Sequence, residues 1–159
     1  MRIVSVARAF PPYRYGQAEI AAELREVWKD RAAVLARLDS LLANARVEHR
    51  HLALPLEAYG EPWTFGEAND HWIRVSLDLG EAAVSEALGR IGLGPADVDA
   101  ILTTSITGLA APSLDARLAN RLGFRADVKR TPVFGLGCVG GAASPRSGAV
   151  RLMPRPPPR

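Results

Sequence analysis

Residues 131–143 read TPVFGLGCVGGAA, an apolar strand that runs into a glycine-flanked cysteine and then into small residues. Glycines at 137, 140 and 141 permit a tight turn from strand to helix and leave room for a substrate beside the sulfur of Cys138. A helix that follows would direct its N-terminus at Cys138 and favour the thiolate, the form that accepts an acyl group. The stretch therefore predicts a nucleophile elbow.

Cys138 is the only cysteine in the chain, which excludes an intramolecular disulfide and a cysteine-cluster metal site. A small buried core residue is the alternative role for a lone cysteine. The sequence around Cys138 is therefore needed to distinguish a core role from a nucleophilic role.

Upstream of this turn, segments with helical and strand periodicity alternate. Helices are predicted at 17–29, 32–44, 73–91 and between Pro112 and Gly123, and strands at 2–7, 98–104 and 128–134. Residues 47–54 are rich in histidine and arginine, and residues 55–66 contain the Pro, Gly and aromatic residues of a loop, so this stretch is predicted to lie on the surface. The alternation predicts an α/β layered fold with a mixed or parallel sheet.

Composition narrows the class of protein. The 159 residues are 48% hydrophobic and contain no apolar run of about 18 residues, so a soluble cytoplasmic protein is expected rather than a membrane protein. The net charge of +3 arises from residues 145–159, which hold four arginines and no acidic residue. Because the remainder is nearly neutral, nucleic acid is not expected as a partner.

The order of motifs resembles the type III polyketide synthases, which include the chalcone and stilbene synthases. The motifs are PADVDAILTTS at 95–105, the segment from Pro112 to Gly123, and the segment from Arg130 to Ala143. The resemblance implies a thiolase-like fold, of which this chain holds the N-terminal half, with layered helices and a mixed sheet that is incomplete. It also implies a homodimer in the full-length family.

The resemblance further implies that Cys138 is acylated from an acyl-coenzyme A and then condenses that group with malonyl-coenzyme A by decarboxylative Claisen chemistry. Coenzyme A thioesters are substrates, and neither a metal nor a redox cofactor is implied. Thr104 and Ser105 resemble the family's pocket-lining residues, with strand-end capping as their alternative role. Ala111, before Pro112, is the nearest match to a residue that reaches the neighbouring subunit's pocket, in a loop of different length.

Arg46 and Arg50 fall where the family places basic residues that meet the phosphates of coenzyme A, and a solvated face is the alternative. The chain has three histidines, His49, His51 and His71. They do not predict a metal site, because no cysteine or paired carboxylate shares a helical face with them. They also precede Cys138, whereas the family's catalytic histidine lies far downstream, so none matches that base.

After Ala143 the sequence departs from the family, in which an apolar helix continues. Pro145 is unfavourable in a helix interior, and residues 145–159, with five prolines and four arginines, have no apolar period. We therefore divide the chain into a partial thiolase-like domain at 1–144 and an aberrant or disordered tail at 145–159. A shifted reading frame or a gene truncation accounts for this pattern, and a basic interaction tail is the alternative.

The family's condensation step also needs a histidine and an asparagine, which the resemblance places in the half beyond this sequence. The chain is therefore expected to be a truncated acyltransferase, inactive alone, with apolar helix and sheet surface exposed. Two alternatives stay open, a condensing enzyme like ketoacyl carrier-protein synthase III and a non-catalytic protein that binds a partner subunit.

Overall fold

The computed structural model describes residues 2–60 and 62–143, which form two compact units. The first unit comprises Phe10–His71, and the second joins the described residues before Phe10 to those from Trp72 onward. The Pro/Arg-rich tail predicted at 145–159 lies outside the described residues, so the domain boundary at residue 144 stays a prediction.

Two helices dominate the first unit. Helix α1 (Gln17–Val27) and helix α2 (Ala32–Ala45) confirm the two predicted amphipathic helices. Glu19 begins α1, because its side chain accepts a hydrogen bond of 2.6 Å from the backbone N–H of Gly16. The apolar faces of the unit bury Ile20, Ala21, Leu38 and Leu54.

The first unit also contains a short antiparallel strand pair. Strands β1 (Tyr13–Gly16) and β2 (His49–Leu52) pair so that Tyr13 lies opposite Leu52. Strand β2 lies within the predicted surface segment at 47–66, and the sequence predicts no strand at β1. Strands of four mostly polar and exposed residues carry too little alternation for the period-two pattern to mark them.

The second unit confirms the predicted alternation of helices and strands. Its elements are helix α3 (Phe65–Gly89), strand β3 (Ala100–Ser105), helix α4 (Leu114–Leu122) and strand β4 (Lys129–Phe134). Helix α3 begins in the first unit and continues into the second. It starts earlier than the predicted residue 73, because its first two turns contain few apolar residues and therefore show no apolar period.

Strands β3 and β4 are parallel neighbours, and α4 makes the connection between them. Their register runs from Ala100 opposite Lys129 to Ser105 opposite Phe134. Parallel neighbours require a crossover connection, which the helix supplies. The predicted parallel pairing is therefore confirmed, and both strands end at the same edge.

Helix α4 packs closely on α3. A side chain at Gly80 would meet Leu118 Cδ1 at 3.0 Å, so the absence of a side chain at this position lets the two helices approach. Arg121 donates to Asp78 at 2.7 Å and to Glu81 at 2.6 Å, and the hydrogen bond to Asp78 is the main reason that the pKa of Arg121 is raised. Gly123 then ends α4 in the left-handed conformation, at φ 72°.

The predicted buried strand at residues 2–7 is wrong. Residues 2–10 have no regular secondary structure, and Ile3 is 73% exposed. The described residues form two ladders, β1 with β2 and β3 with β4, and neither includes this segment. An apolar run becomes a buried strand only where a neighbouring strand and a covering layer receive it, and the sequence pattern does not report either.

Candidate active site

The candidate site lies where the chain leaves β4. The backbone N–H of Gly135 donates to the carbonyl oxygen of Ser105 at 3.1 Å, so the parallel ladder continues one residue past the strand. The chain then turns through Gly135 at φ 86° and Gly137 at φ 57°, in the left-handed region that favours glycine. Residues 137–139 form a 3-10 turn, and residues 140–143 are helical.

This geometry confirms a tight strand-to-helix turn around Cys138. Cys138 is exposed among the described residues, where it is not part of a buried core. Its sulfur lies on a turn at the carboxyl edge of the β3–β4 pair, where a thioester can approach it. The one thiol of the chain is therefore accessible on this turn, and its role as a nucleophile stays a prediction.

The predicted glycines of the turn serve different purposes. Gly137 supplies the positive φ, whereas Gly140 has an ordinary helical φ of −51° and is buried. A side chain at position 140 would clash with Thr104 Oγ1, so only glycine fits there without a shift of Thr104. A side chain at Gly141 would meet nothing within 4 Å, and nothing in the structure explains a glycine there. The positive φ of Gly135 was not predicted.

Thr104 and Ser105, the two predicted pocket-lining residues, occupy different surroundings. Thr104 is exposed and lies against the turn at Gly140. The hydroxyl of Ser105 donates to the carbonyl oxygen of Gly108 at 3.1 Å and accepts from its N–H at 3.4 Å. Ser105 therefore caps the end of β3, and contact of either residue with a substrate stays a prediction.

Ala111, the third predicted substrate-binding residue, is exposed and precedes Pro112 through a cis peptide bond. Arg117 of α4 holds this part of the loop. It donates from Nε to the carbonyl oxygen of Pro112 at 2.8 Å and from Nη2 to that of Ala111 at 3.4 Å. The loop 106–112 is thus held at Gly108 by Ser105 and at its far end by Arg117.

A cleft of about 80 Å³ lies beside the two strand ends. Its walls include Trp72, Ser105, Gly108, Val133 and Phe134, all from the second unit. Of the predicted site residues, Ser105 lines this cleft, whereas Thr104, Ala111 and Cys138 are not in its wall. Trp72 and Gly108 were not predicted, because their contact joins residues far apart in the sequence and no periodic pattern marks it.

Asp115 is a buried acid that the sequence analysis also missed. It is 1% exposed, and its Oδ1 accepts a hydrogen bond of 3.3 Å from the hydroxyl of Thr103. Its Oδ2 is buried without a hydrogen-bond partner among the described residues. Asp115 lies in the first turn of α4, where the helix dipole stabilises a negative charge. Asp115 therefore links the first turn of α4 to Thr103 in β3.

The predicted phosphate-binding residues belong to the first unit. Arg46 ends α2 in the left-handed conformation at φ 50°, and Arg50 donates to Gln17 Oε1 at 3.1 Å. Both are exposed, as the coenzyme A role and the solvated face each require, so the coenzyme A role stays a prediction.

The histidines make local contacts. His51 stacks on Phe10 with ring centroids 4.8 Å apart, and His71 stacks on Trp63 at 4.7 Å. Within residues 2–60 and 62–143, no three His, Cys, Asp or Glu side chains come together as a metal ion would need. In the same part of the chain, no helix has the length and apolar character of a membrane span.

Residues 2–149 match the N-terminal domain of the chalcone and stilbene synthases. The chain is 52% identical over 141 residues to the 1,3,6,8-tetrahydroxynaphthalene synthase of Streptomyces peucetius subsp. caesius, covering 89% of this chain and 37% of that enzyme. It is 30% identical over 135 residues to the phloroglucinol synthase of Pseudomonas fluorescens, covering 85% of this chain and 38% of that enzyme. The chain therefore spans less than two fifths of the length of either relative.

Solved structures of type III polyketide synthases also match the chain. The 1,3,6,8-tetrahydroxynaphthalene synthase of Streptomyces coelicolor A3(2), a bacterial type III polyketide synthase, superposes with a TM-score of 0.82 at 27% identity, covering 93% of this chain and 43% of that one. CsyB complexed with CoA-SH superposes with a TM-score of 0.85 at 25% identity, covering 94% and 41%. The predicted thiolase-like fold of the N-terminal half is confirmed.

Proposed function

This chain belongs to the chalcone and stilbene synthase family of type III polyketide synthases, and on that premise we propose that Cys138 accepts an acyl group from a coenzyme A thioester. The observation that carries the proposal is the exposed thiol on a glycine turn at the carboxyl edge of β3 and β4. The family membership decides against the alternative of a ketoacyl carrier-protein synthase.

The acylation step is a thioester exchange. The sulfur of Cys138 attacks the carbonyl carbon of the substrate, and the bond between that carbon and the sulfur of coenzyme A breaks. The thiol proton of Cys138 leaves with coenzyme A, so atoms and charge balance. The step needs a reachable sulfur and open space around it. The positive-φ turns at Gly135 and Gly137 support both, since they turn the chain sharply where Cys138 is exposed.

The condensation step belongs to the longer polypeptide of the family. Malonyl-coenzyme A loses carbon dioxide, its enolate carbon attacks the acyl carbonyl on Cys138, and the cysteine sulfur departs. The resemblance assigns polarisation of that carbonyl to a histidine and an asparagine downstream of Cys138. The three histidines of this sequence all lie within Phe10–His71. The 159 residues alone are therefore proposed to acylate Cys138 without condensing.

Substrates and assembly follow from the same premise. Acyl-coenzyme A and malonyl-coenzyme A are the proposed substrates, with no resident cofactor, and the CoA-SH complex of CsyB supports a coenzyme A ligand for this fold. The relative at 52% identity is a tetrahydroxynaphthalene synthase, which favours a hydroxylated aromatic product for the longer polypeptide and not for these 159 residues alone. A cytoplasmic homodimer is the proposed form. In support of an interface, Leu136 and Val139 on either side of Cys138 are 47% and 65% exposed.

Acylation can be tested on the purified chain with acetyl- and malonyl-coenzyme A, followed by intact-mass and peptide mass spectrometry. One acyl group is expected on Cys138, none in Cys138→Ala, and no condensed product in either. Gly141→Ala is the matched control, because its added methyl group meets nothing within 4 Å and acylation should continue. Acylation that persists in Cys138→Ala, or its absence from a folded wild-type chain, would contradict the proposal.

A further inference from the structure

The first unit contains a cavity of about 320 Å³ between α1 and residues 52–59. Ligand pockets in proteins begin at about 300 Å³ and have mostly apolar walls. Apolar side chains from both segments form most of this wall, among them Ile20, Leu24, Leu52 and Leu56. The cavity therefore has the size and lining of a site for one small organic molecule.

Hydrogen bonds within the protein hold one wall of this cavity in place. The backbone N–H of Leu56 donates to the hydroxyl of Tyr15 at 3.0 Å, and the N–H of Leu54 donates to the hydroxyl of Tyr59 at 3.3 Å. Both bonds are partly buried. Because the backbone beside the cavity is fixed in this way, a ligand would bind with a low cost of ordering the wall.

Glu23 gives the cavity a negative charge. Among the described residues that line the cavity, it alone is charged. The other two acids of α1 have partners, since Glu19 accepts from the N–H of Gly16 and Glu26 pairs with Lys29 at 2.8 Å. Glu23 is half-buried and has no hydrogen bond or ion pair within residues 2–60 and 62–143. A carboxylate held against apolar surface without a cation favours a ligand that supplies one.

Two aromatic side chains, Trp28 and Tyr59, complete the wall. Aromatic rings attract ammonium groups through their faces and also pack well on apolar groups. An anionic ligand would be repelled by Glu23, and a neutral apolar ligand would leave its charge without a partner. The lining therefore selects an organic cation with an apolar body.

We propose that this cavity binds a small organic ammonium ion, whose charged group pairs with Glu23 and whose apolar body lies beside Trp28 and Tyr59. The site goes beyond the proposed acylation, because its wall belongs to the first unit and Cys138 to the second. Coenzyme A thioesters are not its ligands, since their phosphates carry the same sign of charge as Glu23.

The test uses two probes of similar shape, 2-phenylethylammonium and 2-phenylethanol, which differ in charge. Ligand-observed NMR titration measures the Kd of each probe for the whole chain. The wild-type chain should bind the ammonium about tenfold more tightly than the alcohol, between the effects of exposed and buried charge pairs. Glu23→Gln keeps the side-chain volume and should abolish this difference while the Kd of the alcohol stays unchanged.

Glu26→Gln is the matched control. Glu26 lies on the same helix, pairs with Lys29 and is not in the wall of the cavity. This variant removes the same charge from the same region of the surface, so the preference for the ammonium should equal that of the wild type. An equal loss of preference in Glu23→Gln and Glu26→Gln would overturn the inference, because it would show only a general attraction by surface charge.

Two further variants test the aromatic wall and the sign of the charge. Trp28→Leu keeps an apolar side chain and should weaken the ammonium about threefold more than the alcohol. If Trp28→Leu does not fold, Glu23→Lys provides the second comparison, because it should reverse the preference so that phenylacetate binds more tightly than 2-phenylethylammonium. Unchanged selectivity in folded Glu23→Lys would contradict the proposed site.

The wild-type chain can also overturn the inference directly, either by binding neither probe saturably or by binding both with equal affinity. The outcome is separate from that of the acylation experiment. Cys138→Ala should bind both probes as the wild type does, because Cys138 is not in the wall of this cavity. A chain that fails to acylate Cys138 can therefore still support the ammonium site, and the reverse also holds.

Discussion

Two connections leave the carboxyl edge of the β3–β4 pair, and they are held in place by different means. The loop after β3 is fixed by side chains, with Ser105 and Trp72 at Gly108 and Arg117 at the carbonyls before α4. The turn after β4 is fixed by backbone conformation, with Gly135 and Gly137 in the left-handed region. A loop that side chains hold can shift when one of those side chains is substituted. The turn after β4 is set by glycine backbone angles, so the position of Cys138 depends little on neighbouring side chains.

The largest effect should come from filling the space between the loop and Trp72. Gly108→Ala forces a methyl group into the indole ring and should lower the free energy of unfolding by about 3 kcal/mol, the upper part of the range for overpacking. Urea denaturation measures this change. The double variant Gly108→Ala with Trp72→Ala should recover part of the loss, because the clash has been removed. Additive losses in the double variant would show that the two residues do not meet.

The turn after β4 should respond through its backbone. Gly137→Ala places a side chain at φ 57° and should destabilise that conformation by about 1–2 kcal/mol. The expected result is slower acylation or maleimide labelling of Cys138, with the thermal midpoint lowered by roughly 2–8 °C. Gly141→Ala is the control within the same turn. An unaffected labelling rate in Gly137→Ala would contradict this difference between the loop after β3 and the turn after β4, because the turn would then not depend on glycine conformation.

The contrast between these connections also explains what the sequence could predict. Elements β3, α4 and β4 were located because apolar periodicity and Gly or Pro residues at their ends are local signals, and the family motifs coincide with them. Cys138 was found for the same reason. The clamp of Trp72 on Gly108 was missed because it joins α3 to a distant loop, and only the tertiary structure brings them together. The wrong prediction of a strand at residues 2–7 has the same cause, since the sequence of that segment does not show whether another strand lies beside it.

The two roles considered for Ser105 can be separated by one substitution. Ser105→Ala removes both hydrogen bonds to Gly108 and should lower the free energy of unfolding by about 1 kcal/mol. As a cap, Ser105 acts on the loop and not on the thioester, so the acetyl rate itself should change little. Ser105→Thr keeps the hydroxyl and serves as the control for stability. A large loss of the acetyl rate in a stable Ser105→Ala chain would instead indicate direct contact with the substrate.

The smallest effect is expected at the opposite end of the same strands, at Arg125. Its guanidinium donates to Asp99 at 2.8 Å, Asp127 at 3.0 Å and the carbonyl oxygen of Ala96 at 2.9 Å, and the bond to Asp99 is the main reason that its pKa is raised. These contacts are exposed to solvent, where ion pairs contribute little and salt screens them. Arg125→Ala should therefore shift the thermal midpoint only slightly, and less at high salt. Acylation of Cys138 should be unchanged, because neither connection at the carboxyl edge touches Arg125. A changed acylation rate would mean that the strands transmit strain from one edge to the other, and the division between side-chain and backbone control would then fail.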